Sequence, residues 1–335
     1  MSNYFQNEVL EVAYRKFENQ WNSSHEFEVL TSGSTGEPKK IKLLKSQLVL
    51  SANKTIDFFN LKSGINALVC LSLDTIAGKM MLARAFVGNW NLKIVEPKAN
   101  PLKDLNEEFD FVALVPYQLE HILAETPEKL KLLKTIIVGG APVSSKLIIQ
   151  LKEHKISVYQ TFGMTETVSH IALRKIGFEA ELRYQTVKGV HVSGQDGNLI
   201  IHYPEMFPNE IQTNDLVEIK SPTEFEWLGR KDFIINSGGI KLNPENIEEK
   251  LSSLIPNDFF VIGIPDESLG QKLALILESE SQYILEKNNV LKILNKFEVP
   301  KIYAFVKRFS RTDSGKIQRL ETLKKISLDD WKAFV

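Results

Sequence analysis

Residues 31–40 of this chain read TSGSTGEPKK, a composition suited to a loop that holds phosphate oxygens. Glycines let backbone N–H groups approach an anion, hydroxyl groups donate hydrogen bonds to it, and a lysine adds positive charge. The spacing is not that of a Walker A loop, because Gly33 and Gly36 lie too close together. Clustered Gly, Ser and Pro also mark ordinary surface turns. Taken alone, the stretch leaves a phosphate loop and a plain turn equally open.

Five later stretches carry further residues suited to nucleotide chemistry. In chain order they are QTFGMTET (160–167), TNDLVEI (213–219), GRKDFIINSGGIKLNPENIE (229–248), PDESLGQK (265–272) and SRTDSGKIQR (310–319). Each has an ordinary explanation by itself, such as a helix cap at Thr165, a turn at Asp215 or a surface ion pair at Arg230. Those separate explanations do not account for all of the stretches occurring in this order.

The elements that must position these residues alternate between strands and helices. An amphipathic helix is predicted over residues 4–20. Apolar strands are predicted at 67–73, 92–96, 111–115, 135–140 and 158–163, and helices at 46–59 (opened by a serine cap), 76–87, 117–124 and 144–153. This alternation is typical of a parallel sheet covered by helices, whose ligand sites lie beyond the carboxyl ends of the strands.

The pattern changes in the second half of the chain. From about Gly189 it becomes the alternation of antiparallel strands with tight turns. A mixed pattern follows, with helices predicted at 244–254 and 282–296 and strands at 259–265, 272–278 and 302–307. We therefore predict an α/β protein. Residues 1–229 form a large domain with mostly parallel sheets, flanking helices and a small antiparallel portion, and residues 230–335 form a smaller, mobile α+β domain.

Composition excludes several classes of protein. The 335 residues are 43% hydrophobic and 25% charged, as in an ordinary globular protein. Lys and Arg total 41 against 42 Asp and Glu, a balance that offers no support for binding nucleic acid or an anionic membrane. Cys70 is the only cysteine, which excludes an internal disulfide and fits a reducing compartment. With no signal peptide or spanning apolar run, we expect a cytoplasmic protein without membrane insertion.

The six stretches, in their order, resemble the core motifs of the adenylate-forming enzymes, which include acyl- and aryl-CoA synthetases, adenylation domains and luciferases. The resemblance runs from about Glu28 to Leu320. Within this family, GMTETVSHIA, residues 72–89 and residues 115–123 most resemble the o-succinylbenzoate–CoA ligases of menaquinone synthesis. Two features depart from the family pattern: the segment before the first loop is much shorter, and Phe162 stands where tyrosine is common.

The resemblance implies an AMP-forming acid–CoA ligase that uses ATP, Mg²⁺ and coenzyme A. An aromatic acid would attack the α-phosphorus of ATP, and the thiol of coenzyme A would then displace AMP. Three alternatives stay open: an aryl-CoA ligase for a benzoate- or phenylacetate-like acid, a non-catalytic relative, and a carrier-protein adenylation module, although no carrier segment follows Val335. The oligomeric state is also left open.

The resemblance assigns the nucleotide contacts residue by residue. Those implied at the pyrophosphate end of ATP are Thr31, Ser32, Gly33, Ser34, Thr35, Gly36 and Lys39. Those implied around the adenine and the acyl pocket are Gly139, Gly140, Ala141, Phe162 and Gly163. Asp215 would bind the ribose hydroxyl groups.

The catalytic roles follow from the same resemblance. Thr165 would contact the α-phosphate, Glu166 would hold Mg²⁺, and Arg230 would lie at the ribose–phosphate region. Asp232 would be the hinge between the domains. Lys316 would reach in from the small domain to bridge the attacking carboxylate and the α-phosphate.

A second carboxylate on the acid would need a cation or several donors if it were buried. The candidates are Lys79, Arg84, Ser169 and His170. For Arg84, an arginine that lies along the surface of a helix is an equally good interpretation. For His170, a hydrogen-bonded core histidine is an equally good one.

Overall fold

The computed structural model describes residues 2–30, 40–281, 287–312 and 315–334. The helices within them are α1 (Glu8–Ser23), α2 (Lys45–Phe59), α3 (Ile76–Gly88), α4 (Pro116–Glu125), α5 (Ser145–Glu153), α6 (Pro244–Leu251), α7 (Lys287–Leu291) and α8 (Arg319–Leu323). No helix in this described part combines the length and the apolar character needed to cross a bilayer.

The strands of the first half are β1 (Asn3–Phe5), β2 (Glu26–Leu30), β3 (Lys40–Leu44), β4 (Asn66–Val69), β5 (Asn91–Ile94), β6 (Phe109–Leu114), β7 (Leu133–Val138), β8 (Ser157–Gly163), β9 (His170–Gly177) and β10 (Tyr184–Thr186). Those of the second half are β11 (His191–Gln195), β12 (Asn198–His202), β13 (Ile211–Ser221), β14 (Glu224–Arg230), β15 (Ile235–Ser237), β16 (Ile240–Leu242), β17 (Phe259–Asp266), β18 (Gly270–Glu278), β19 (Ile302–Val306) and β20 (Lys332–Ala333).

Local sequence explains where several helices begin. Asn7 accepts a hydrogen bond from the Leu10 backbone N–H at the start of α1, and Ser144 does the same for Leu147 at the start of α5. The predicted serine cap of α2 is wrong. The helix begins at Lys45, one residue earlier, so Ser46 lies within its first turn. The side chain of Gln47 accepts the Leu44 N–H there instead.

The main sheet has twelve strands within the described residues, in the order β1-β5-β4-β6-β7-β8-β9-β10-β14-β13-β12-β11. Strands from β1 to β8 pair in parallel, whereas every pair from β8 to β11 is antiparallel. Burial follows this division: β6 is nearly all buried, as expected of a strand covered on both faces, and β13 alternates between buried and accessible positions. The α/β architecture is confirmed, and its antiparallel portion is larger than expected because it begins at β9.

A second sheet follows in the chain, with the order β16-β15-β18-β19-β20 and β17 on the other side of β18. The four hydrophobic clusters of the described residues also separate between the part of the chain that forms the main sheet and the part that forms the second sheet. Two draw their members from residues 5–227, and two from residues 235–334. The helix predicted at 282–296 falls partly outside the described residues, and its described part is the short α7.

Candidate active site

The predicted nucleotide residues lie where parallel strands end. Gly139, Gly140 and Ala141 directly follow β7, and Phe162 and Gly163 close the neighbouring strand β8. Adjacent parallel strands present their carboxyl ends at one edge of a sheet, which is where α/β proteins bind ligands. The backbone N–H of Gly139 donates to the carbonyl of Leu114 at the end of β6. The carboxyl end of β6 therefore lies at the same edge of the sheet as those of β7 and β8.

Phe162 belongs to a group of aromatic rings. Its ring centroid lies 5.1 Å from that of Phe225 and 5.6 Å from that of Tyr184, both in edge-on arrangements. The guanidinium of Arg174 lies 5.0 Å above the Tyr184 ring. These contacts hold the half-buried Phe162 at the end of β8.

Gly163 allows two backbones to approach closely. A Cβ atom at this position would lie 2.3 Å from the Ser169 carbonyl oxygen, well inside van der Waals contact. Any other residue would push β8 away from β9, where Gly163 and His170 are paired. Glycine therefore keeps Ser169 and His170 next to the strand end.

A strained turn connects these two strands. Residues Thr165–Thr167 form a single 3₁₀ turn, and the buried Val168 follows with φ 69° and ψ −49°. The Ser169 N–H donates to the Thr167 carbonyl at 2.8 Å, so Val168 is the centre of a tight three-residue turn. Positive φ is costly for a β-branched residue, and such strain concentrates at functional sites. The turn leaves the Glu166 carboxylate exposed and directs the following residues back along β9.

Asp215 is held on β13 opposite Arg230 of β14. It is 7% exposed, and the Trp227 indole N–H donates to its Oδ1 at 2.9 Å. Arg230 Nη1 lies 3.9 Å from the other oxygen, and Arg230 Nη2 donates to Asp232 Oδ2 at 2.6 Å. Arg230 thus lies between two carboxylates, one on the large sheet and one on the 3₁₀ turn Lys231–Phe233 that leads into the second sheet.

Lys316 lies within electrostatic reach of this pair. Burial, together with the charges of Arg230 and Arg319, lowers the pKa of Lys316 below its ordinary value, and Asp215 opposes the shift. The preceding Gly315 lies against α4: it has φ +82°, and a Cβ there would lie 3.0 Å from Cβ of Tyr117. The structure therefore places Lys316 within electrostatic reach of Arg230 and Asp215, although both lie in a much earlier part of the chain.

Arg84 is a buried cation that has no carboxylate partner in the described part of the chain. Its side chain points from α3 into the core and is 2% exposed, so the interpretation as a surface arginine is wrong. Nε donates to Thr55 Oγ1 at 3.2 Å and Nη2 donates to Ser169 Oγ at 2.8 Å. No carboxylate within the described residues forms an ion pair with it, and burial lowers the pKa of Arg84 to about 9. It remains charged at neutral pH.

His170 completes this group, which we call the Arg84 cluster: Thr55, Arg84, Ser169 and His170. The ring Nε2 lies 3.1 Å from Thr55 Oγ1, and the residue is 8% exposed. Burial and the nearby Arg84 charge lower the pKa of His170 well below its usual value, so the imidazole is neutral at pH 7. Arg84 is therefore the cluster's one source of positive charge.

The fourth residue predicted at the acyl end lies elsewhere. Lys79 Nζ donates to the Glu28 carbonyl oxygen of β2 at 3.1 Å. Desolvation is the main reason that the pKa of Lys79 is lowered. The lysine thus contacts the strand that leads toward residue 31 and is not part of the Arg84 cluster.

Other predicted residues fall outside the described part of the chain. These are Thr31, Ser32, Gly33, Ser34, Thr35, Gly36 and Lys39. The strands β2 and β3 that flank them pair in antiparallel register, with Leu30 opposite Lys40.

The residues fit a magnesium ion that is bound mainly through a substrate. Mg²⁺ keeps several waters and takes one or two carboxylates together with phosphate oxygens. Glu166 offers one exposed carboxylate on the 3₁₀ turn that begins at Thr165. Within the described residues no group of three or more His, Cys, Asp or Glu side chains could hold a metal by itself.

Sequence reasoning missed three residues that shape this site. Thr55 bonds both Arg84 and His170, Trp227 orients Asp215, and Val168 is the strained turn residue. Thr55 is one of several polar residues of α2, and nothing in the local pattern marks it, since its partners are 29 and 115 residues away. Trp227 could have been suspected from the alternation of β14, two residues before the Gly-Arg motif.

Comparison with known proteins gives one family. Residues 18–198 match the family described as AMP-binding enzyme. A 2-succinylbenzoate–CoA ligase of Staphylococcus aureus (strain MSSA476) is 26% identical over 325 residues, which covers 87% of this chain and 65% of the relative. The chain therefore spans slightly less than two thirds of the length of that relative.

Two solved structures share the fold. An acyl-CoA synthetase (AMP-forming)/AMP-acid ligase II-like protein from Dyadobacter fermentans is 37% identical, with a TM-score of 0.64 and coverage of 96% of this chain and 95% of that one. The o-succinylbenzoate coenzyme A synthetase of Bacillus subtilis, in complex with ATP and magnesium ion, has a TM-score of 0.76 at 20% identity. Coverage there is 88% of this chain and 69% of the other.

Proposed function

Because this chain belongs to the AMP-binding enzyme family, we propose that it is an ATP-dependent, AMP-forming acid–CoA ligase. The substrate would be an aromatic acid that carries a second carboxylate, with o-succinylbenzoate the best candidate, and the product would enter menaquinone synthesis. The similarity to the S. aureus 2-succinylbenzoate–CoA ligase supports this choice.

The observation that carries the proposal is the buried charge of Arg84, which no carboxylate among the described residues compensates. Burying an unpaired guanidinium costs several kcal/mol, so a protein keeps one where a ligand supplies the counter-charge. A benzoate-like acid has one carboxylate, which reacts and cannot also neutralise Arg84. A dicarboxylic acid places its second carboxylate against Arg84 while the first one reacts.

The reaction has two steps. A carboxylate oxygen of the acid attacks the α-phosphorus of ATP and pyrophosphate leaves, which gives an acyl-adenylate. The thiolate of coenzyme A then attacks the acyl carbon, and AMP leaves with the oxygen that had linked it to the acyl group. Both steps develop negative charge on phosphate or carbonyl oxygens, which fixed cations and N–H donors stabilise.

The chain's own residues would divide this work. Lys316 would lie against the attacking carboxylate and the α-phosphate, with Thr165 donating to the phosphate and Asp215 accepting from the ribose hydroxyls. Mg²⁺, held through Glu166, would neutralise phosphate charge. Arg230 would contact the ribose–phosphate region. Residues 31–36 and Lys39 remain the proposed pyrophosphate loop.

Residues 230–335 would turn as a mobile domain on Asp232 between the two steps. The separation of the hydrophobic clusters at residues 227 and 235 supports this division. Lys316 near Arg230 suits the first step, whereas thiol attack needs that space cleared. Closure on a few hinge residues is an established way to run two steps in one cleft.

The test is pyrophosphate release with a panel of aromatic acids, with and without coenzyme A. We expect o-succinylbenzoate to give the highest kcat/KM, with AMP and a thioester as products. Higher values for benzoate or phenylacetate would contradict the substrate and leave the reaction class intact. No pyrophosphate release with any acid would favour a non-catalytic relative.

A further inference from the structure

The Thr55 hydroxyl is the point where the Arg84 cluster is joined to the helix beneath it. Thr55 is fully buried in α2. Its Oγ1 lies 3.2 Å from Arg84 Nε on α3 and 3.1 Å from His170 Nε2 on β9. One side chain thus connects three elements of the large domain.

Counting donors and acceptors assigns the direction of each bond. A threonine hydroxyl has one hydrogen and two lone pairs. Thr55 Oγ1 donates its hydrogen to the Ser51 carbonyl at 3.2 Å, one helical turn earlier. Its lone pairs then accept from Arg84 Nε and from His170, which places the ring proton on Nε2. The one hydrogen and both lone pairs of the hydroxyl therefore take part in hydrogen bonds.

The guanidinium is thereby held at two points. Thr55 Oγ1 accepts a hydrogen bond from Nε, and Ser169 Oγ accepts one from Nη2. Nη1 lies 3.9 Å from the weakly accepting sulfur of Met81. An arginine has five N–H donors, so three remain without an oxygen or nitrogen acceptor among the described residues, and one of these three faces the Met81 sulfur. Fixing Nε fixes the plane of the guanidinium and hence the direction of these remaining donors.

We propose that Thr55 is a positioning residue that orients Arg84 toward the second carboxylate of the acid and so contributes to the choice of a dicarboxylate. This inference rests on the proposed function, because it needs an acid whose second carboxylate binds Arg84. Thr55 does not touch the reacting atoms. Because Thr55 already orders Arg84 in the free protein, binding of the acid does not include the free-energy cost of ordering that side chain.

The experiment compares Thr55→Val, which removes the hydroxyl and keeps the shape, with Thr55→Ser, which keeps the hydroxyl. For Thr55→Val we expect the KM of o-succinylbenzoate to rise roughly five- to tenfold, as for loss of one buried hydrogen bond. The KM of ATP and the kcat should stay within about twofold. The KM of benzoate should not change. Thr55→Ser should restore the KM of the dicarboxylate.

Thr186→Val is the matched control. Thr186 is also a buried threonine of the large domain, and its hydroxyl donates to the Val190 carbonyl at 2.9 Å. Its replacement should lower the melting temperature as much as Thr55→Val does without changing the preference between acids. An equal rise of KM for dicarboxylate and benzoate in Thr55→Val would overturn the inference, as would failure of Thr55→Ser to restore the wild-type KM.

A double-substitution cycle with Arg84→Met separates positioning from general stability. If Thr55 acts through Arg84, adding Thr55→Val to Arg84→Met should not raise the KM of the dicarboxylate further. Effects that multiply would show that Thr55 acts independently of Arg84. Failure of the proposed function appears earlier, in the wild-type enzyme, as no preference for the dicarboxylate. Failure of the Thr55 inference appears only in the variants.

Discussion

Arg84 and Lys316 are both cations suited to an anionic substrate, but they differ in burial and in how firmly neighbouring residues hold them. Arg84 is buried between α2, α3 and β9 and held by Thr55 and Ser169. Lys316 is half-buried and follows Gly315, which lies against Tyr117 of α4. A group that selects a substrate gains from being fixed in advance, whereas a group needed for one of two steps must be able to leave.

The largest expected effect comes from removing Lys316, the cation that we propose moves between the two steps. Lys316→Ala should slow adenylate formation by roughly 10²- to 10³-fold, the scale of losing one charge-stabilising donor. Thioester formation from synthetic acyl-adenylate and coenzyme A should stay near the wild-type rate. Measuring pyrophosphate release and thioester formation separately checks this. Equal loss in both steps would mean that Lys316 does not leave the site.

Removing the fixed cation should change specificity more than rate. Arg84→Met should raise the KM of o-succinylbenzoate about 10- to 100-fold, because a hydrogen bond to a charged group contributes about 1.5–3 kcal/mol. The melting temperature of the ligand-free protein should not fall, because the substitution removes a buried charge that no described carboxylate compensates. Calorimetry with and without the acid gives both quantities. A clearly lower melting temperature would assign Arg84 a structural role.

Restricting the hinge should sharpen the contrast between the two steps. Asp232→Pro limits φ within the 3₁₀ turn Lys231–Phe233, a position where proline is tolerated in the present arrangement. Because Lys316 already lies near Arg230, adenylate formation should be spared more than thioester formation, by several-fold. Single-turnover assays of each step measure the ratio. A larger loss in the first step would point to a different hinge.

The smallest effect concerns pH. The role proposed for Lys316 in adenylate formation needs its protonated form, so kcat/KM should fall as the pH rises through the pKa of Lys316 in the free enzyme. Burial and Arg230 lower that pKa, so the fall should begin below the ordinary lysine range near 10.5. Lys316→Arg keeps its charge to much higher pH and should remove this fall. A pyrophosphate-release profile between about pH 7 and 10 tests the difference, and an unchanged profile would assign the fall to another group.

Much of the fold was accessible from local pattern. The alternation of apolar strands and helices predicted β5 to β8 and α3 to α5 within a few residues, because burial on both faces requires continuous apolar strands. The predicted strand 67–73 was too long, since the chain leaves the sheet after Val69. The predicted serine cap of α2 was wrong because the helix begins one residue earlier, with Leu44 as its N-cap residue.

What the sequence alone determined is the order of motifs, and with it the family and the edge of the sheet at which Gly139, Phe162 and Thr165 gather. Those motifs are local, and the geometry of a strand end follows from neighbouring residues. Only the tertiary structure decided that Arg84 points into the core while Lys79 donates a hydrogen bond to β2. Both residues lie on the same apolar helix, and its periodicity does not show which face is buried more deeply. The meeting of Thr55 with His170, 115 residues later, likewise depends on how α2 packs against β9, which no local pattern encodes.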